Sequence, residues 1–144
     1  YLMFDRYPVS ALTTAQRFIT TQLTTNGTEV TGYCFDEDKD TVWPEGMGQM
    51  AVAFGKAGLI HEKERYLNEM EKLLIQSTKH ENALGFPYTS NPGTTYGSDS
   101  LWVGADTEIA ISGAAWYLFA KKDFNPFAVG QNKIIPEVDL FWLN

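Results

Sequence analysis

The sequence predicts an all-α protein assembled from helical hairpins, and three observations carry that expectation. Two segments rich in Gly and Ala, 45–57 and 107–120, are apolar on nearly every side, as helices enclosed by neighbours are. Between them, residues 62–78 carry one apolar stripe with charged residues opposite, as a helix on the outside does. A loop crowded with aromatic residues precedes each apolar segment.

Each element has its local reason. Ser10 is placed to cap a first helix, Ala11 to about Thr24, whose apolar stripe is Leu12, Ala15, Phe18, Ile19 and Leu23. Asn26-Gly27 is read as its end. The loop over 27–43 is polar at Thr28, Glu29 and Thr31. It then gathers Tyr33, Phe35 and the acidic run Asp36-Glu37-Asp38-Lys39-Asp40. Pro44 suits the first position of a helix, so a second helix is expected from there to about Ala57, ahead of Gly58. Its glycines each cost about 1 kcal/mol in helix propensity relative to alanine, so neighbours must press closely against it.

A third helix, about Glu62 to Thr78, turns Tyr66, Leu67, Met70, Leu73 and Leu74 inward and Lys63, Arg65, Asn68, Glu69, Lys72 and Gln76 to water. The loop over 85–97 is dense in turn formers and aromatics. Asp106 is placed to cap a fourth helix, Thr107 to Ala120, in which Gly113-Ala114-Ala115 permits close approach and Trp116, Tyr117 and Phe119 read as core. Asn125-Pro126 stops it, and Ile134 to Trp142 reads as a short extended C-terminal tail that packs onto something.

Composition bounds the partners. With 44% hydrophobic and 14% aromatic residues over 144 positions, the chain has material for one domain with a real core. A net charge of -7 repels phosphate backbones, so nucleic acid is not expected as a partner. Cys34 stands alone, which excludes an intramolecular disulfide and a thiol-rich metal site. No apolar run reaches the roughly 18–20 residues of a membrane span. Tyr1 to Pro8 lacks the order of a signal peptide, and the absent initiator Met suggests a mature or trimmed piece.

Sliding the sequence onto itself sets Glu45 on Glu108, Gln49 on Ser112, Ala51 on Ala114 and Ala57 on Ala120. Buried, amphipathic, buried is the order that inner and outer helices of a ring of hairpins show. At Thr41-Val-Trp-Pro-Glu-Gly-Met-Gly-Gln-Met-Ala, with Gly85-Phe-Pro-Tyr-Thr and Ala114-Ala-Trp-Tyr-Leu-Phe-Ala, the chain resembles the C-terminal part of six-hairpin (α/α)6 toroid proteins. That superfamily holds glucoamylase-like glycosidases, polysaccharide lyases and sugar epimerases. The resemblance implies an α/α-hairpin toroid of which 1–144 form one helical domain and a partial ring, completed by the rest of a larger chain or by other subunits. It also implies a carbohydrate-active protein, glycoside hydrolase-like, extracellular or periplasmic, acting on oligo- or polysaccharide without a cofactor. A non-catalytic carbohydrate-binding or structural module of the same fold is the alternative, and a helical interaction protein a third.

Such hydrolases work with paired carboxylates. The candidates are Glu45, Asp106 and Glu108, each expected in the first turn of a buried helix, where the helix dipole favours the ionised form and so suits a base better than an acid. Acidic residues are also common at helix starts for stability alone. Sugar rings need flat apolar faces and planar polar groups, and Tyr33, Trp43, Phe86, Tyr88, Tyr96 and Trp102, with Phe35 and Gln49, are the candidates for substrate binding. About half of these aromatics are expected to close the ends of the core instead. Asp36, Asp38 and Asp40 alternate as at the start of a calcium loop. Thr41 and Met47 stand where an EF-hand needs Gly and a bidentate Glu, so a solvated acidic turn without metal is expected. His61 and His80 are too far apart to share a metal.

Overall fold

The computed structural model of the protein describes residues 1–3 and 8–128; the tail expected at Ile134–Trp142 lies outside them. Asn26-Gly27 turns a β-hairpin and does not end a helix. The N-terminal segment is helical only as α1, Ser10–Thr13, and a 3-10 stretch at Thr14–Phe18, before β1, Ile19–Leu23, pairs antiparallel with β2, Glu29–Tyr33. Threonine and β-branched side chains fit a pleated surface better than a helix. Thr21 and Thr31, opposed in the ladder, bond through their hydroxyls at 2.8 Å. Gly27 takes φ +77, which a residue with a Cβ adopts at a cost.

Helix α2, Pro44–Lys56, forms as its sequence requires, with Pro44 in the first turn and Trp43 in extended backbone before it. Eight of its residues are buried, among them Met47, Val52 and Phe54. Burying a side chain of that size stabilises by about 1.5–3 kcal/mol, which outweighs the glycines. The helix lies between α3, Ile60–Glu71, and α4, Ile111–Lys121. A Cβ on Gly48 would stand 2.6 Å from Trp116 Cβ, so α2 and α4 approach nearly backbone to backbone. Strand β2 closes the core from the other side, with Val30 fully buried.

Tyr66, Leu67, Met70 and Leu73 are buried as the stripe of α3 demands. Lys63 is not turned to water: it is 5% exposed, and its Nζ reaches Asp123 Oδ1 at 2.6 Å. Helix α3 stops at Glu71, short of Thr78, because Ile75–Gln76 (β3) pairs with Leu84–Gly85 (β4). Helix α4 starts at Ile111, later than expected. Residues 104–108 fold back on Gly104, whose carbonyl accepts from Thr107 N at 3.0 Å and Glu108 N at 2.7 Å. Ile109 bridges to Pro87 and Ala110 N donates to Phe86 O, holding that stretch extended. A last small hairpin pairs Thr95–Tyr96 (β5) with Asp99–Ser100 (β6).

The expectation of an all-α, α/α-hairpin toroid is therefore overturned. The described residues hold four short helices and three two-stranded antiparallel sheets, a mixed arrangement of helix and strand with no ring of helical hairpins. No helix among them is long and apolar enough to cross a membrane.

Candidate functional site: an aromatic hollow beside an acidic loop

Two loops are fastened together under the site. Ser90 Oγ accepts from Val42 N at 2.9 Å and meets Thr41 Oγ1 at 3.1 Å, all in the buried interior. Trp43 N donates to Tyr33 O, and Tyr88 N to Ala105 O, each at 2.8 Å. Buried polar groups that satisfy one another fix loops as firmly as apolar packing does.

On this base Phe35, Trp43, Tyr88, Tyr96 and Leu101 line one hollow of about 290 Å³, near the lower end of small-molecule pockets, which run from roughly 300 Å³ upward. Phe35 meets Trp43 edge-on at 5.8 Å and Tyr96 at 5.8 Å, and Tyr88 meets Trp102 at 4.8 Å. Tyr96 remains 64% and Trp102 52% exposed. Burial, and then the charge of Glu45, push the Tyr88 phenol up. Trp43 Nε1 is buried without a hydrogen-bond partner among the described residues.

The other aromatic candidates sit elsewhere. Tyr33 is in the core, 4.9 Å from Tyr66, and Phe86 is buried against Tyr117 at 5.1 Å. Phe35, at the centre of the wall, is one of the loop aromatics that the sequence offers as a sugar platform.

The three carboxylates have three different settings. Glu45 is in the first turn of α2 and accepts from Gln49 Nε2 at 3.2 Å. Asp106 is buried, accepts from Thr25 Oγ1 at 2.9 Å, and lines a second hollow with Trp102 and Leu101. Glu108 is exposed, packs over Gly104 and lines a third hollow with Gln76 and His80. Neither Asp106 nor Glu108 lies within α4, so the helix dipole assigns neither of them a role.

The acidic run converges. One ligand atom each from Cys34, Asp36, Asp38 and Asp40 lies within 4.8 Å of the others. The three carboxylates could hold a hard cation through oxygen. Burial pushes the Cys34 thiol up, so it is a poor partner in such a set. Their visible work is to fasten the β5–β6 hairpin. Thr95 N donates to Asp40 Oδ2 at 2.7 Å, Thr95 Oγ1 to Asp38 Oδ2 at 2.9 Å, and Gly97 N to Asp36 Oδ2 at 3.1 Å. Tyr96 is held between those anchors. Asp38 lies below the ordinary carboxylate range, chiefly through its hydrogen bond with Asp36, while burial and then the neighbouring Asp38 and Asp36 charges raise Asp40.

No protein-family model, curated protein or solved structure matches the chain, and the resemblance to six-hairpin toroid proteins at Trp43-Pro-Glu-Gly is not upheld.

Proposed function

We propose that the chain binds carbohydrate, an oligo- or polysaccharide, through the aromatic hollow. One observation carries the reading: aromatic side chains from separate loops converge on one hollow, yet Tyr96 in its wall keeps 64% of its surface in water. A sugar ring presents a C–H face that stacks on such rings and hydroxyls that need polar partners at the rim. The Asp36–Asp38 edge, which adjoins Phe35 and Tyr96, offers acceptors there.

Hydrolysis is the second reading, favoured by the position of Glu45 in the first turn of α2, beside Trp43 and close enough to act on Tyr88. A glycosidase needs a second carboxylate at about 5–9.5 Å, and Asp106 and Glu108 line other hollows. Binding therefore ranks ahead of turnover. The test is calorimetric titration with a panel of neutral, amino and uronate oligosaccharides. Tyr96→Ala is expected to weaken the bound member about tenfold, or ~1.4 kcal/mol. Glu45→Gln is expected to retain binding and, if the wild type turns substrate over, to abolish that turnover. Failure of every sugar to bind overturns the reading.

A further inference from the structure

The aromatic hollow adjoins a second one, and the two share Phe35 and Tyr96 as a common wall. The second, of about 440 Å³, is bounded otherwise by Asp36, Glu37, Asp38 and Gly97. The joint space therefore has ring faces on one side and carboxylates on the other. Among the described residues no Lys, Arg or His lines either hollow. Arg17 approaches from outside and meets Glu37 at 3.7 Å, with both side chains more than half exposed. Asp36, Asp38 and Asp40 have no ion-pair partner among the described residues.

The rings are set at several angles. Phe35 stands at 78° to Trp43, 53° to Tyr96 and 33° to Tyr88, so their faces are not all turned the same way. The face of an aromatic ring is its negative region, and it attracts an ammonium within about 6 Å of the centroid, tryptophan most strongly. Beside these rings Asp36 is held by Gly97 N and Asp38 by Thr95 Oγ1, with oxygens within 4.8 Å of each other. Like charges so close repel, and a cation placed against them relieves the repulsion. A neutral ligand engages the rings alone, whereas one with a positive nitrogen engages both walls at once. The net charge of -7 adds a field that draws cations in and turns a uronate away.

We infer that the joined hollows select a ligand bearing an ammonium group. Resting on the carbohydrate reading above, that ligand is an amino sugar whose nitrogen is free and not acetylated. The test is calorimetric titration of the intact chain, with a chelator present and at about pH 6, where such an amine is charged. Three probes are compared: a glucosamine oligomer, the N-acetylglucosamine oligomer of the same length, and tetramethylammonium. The free-amine oligomer is expected to bind at least about tenfold more tightly than the acetylated one. Glu37→Gln touches none of the hydrogen bonds that anchor the β5–β6 hairpin, and Asp38→Asn keeps an acceptor for Thr95. Each is expected to weaken the free-amine oligomer roughly threefold to tenfold and to leave the acetylated one unchanged. Equal affinity for the two oligomers overturns the inference and leaves the carbohydrate reading standing, as does a preference that neither variant reduces. Binding of tetramethylammonium with neither oligomer bound supports the ammonium site and overturns the carbohydrate reading. Binding of none of the three overturns both.

Discussion

A methyl group at Gly48 would stand 2.6 Å from Trp116 Cβ and 2.9 Å from the Trp116 carbonyl carbon. The second of these is backbone, so no rotamer change in Trp116 relieves it, and α2 and α4 would have to part. Gly48→Ala also improves helix propensity by about 1 kcal/mol, and the clash has to overcome that gain. Overpacking against a fixed backbone costs roughly 1–3 kcal/mol, so the net expectation is a loss. Urea denaturation is expected to give a lower midpoint with an unchanged slope, and a higher midpoint would show that the helices part freely. The same contact shows what was legible residue by residue. The crowding of α2 could be read from its glycines and alanines, because such a helix is stable only when enclosed. Phe35 could not be ranked above Tyr33 or Phe86, since which loop aromatic faces water depends on how loops 35–43 and 86–90 are fastened by Thr41 and Ser90.

Between elements, the outer join of α3 to α4 runs through Glu71. Tyr117 Oη donates to Glu71 Oε1 at 2.6 Å, and Lys121 Nζ lies 3.1 Å from the same oxygen. The Tyr117 hydrogen bond, followed by that with Lys121, holds Glu71 below the ordinary glutamate range. A carboxyl held down in the folded state contributes stability above its unfolded pKa, and loses it as pH falls through the lower folded value. The Glu71 side chain is 44% exposed, so screening limits the whole link to about 1 kcal/mol or less. Tyr117→Phe is expected to lower the urea midpoint at pH 7, with a gap to wild type that narrows below the ordinary glutamate pKa. A gap that is constant with pH would tie the loss to packing instead.

The elements also show where sequence reasoning gave way. Asn-Gly between two Thr- and Val-rich runs is a hairpin signal as much as a helix stop. The five-residue ladder of β1 with β2 wins because it satisfies backbone groups that a threonine-rich helix would hold poorly. The late start of α4 follows from Gly104 and from the bridge of Ile109 to Pro87, pairings between segments far apart in sequence that periodicity does not register.

Across the whole molecule, the two apolar helices look like successive members of a repeat when laid along the sequence, yet they are packed on one another. Helix α2 is central, with α3 on one side, α4 on the other and β2 also against it. That arrangement orders the local stabilities. Opening α2 exposes Met47, Ala51, Val52, Ala53 and Phe54 together and undoes every major contact of the core. Opening the β5–β6 hairpin exposes almost nothing, since Tyr96, Asp99 and Ser100 already face water and two backbone N–H groups rest on carboxylates. Free energies of local opening range from near zero in such segments to the global value in the core. Amide hydrogen exchange is therefore expected to be slowest from Ala51 to Phe54 and from Tyr66 to Met70, and fastest over residues 95–100. Saturating carbohydrate is expected to slow the 95–100 amides alone, because the hollow is walled by Tyr96 and the core is already closed. Protection of 95–100 equal to that of α2 in the free protein would mean that the acidic loop, and not the helical core, carries the stability of this face.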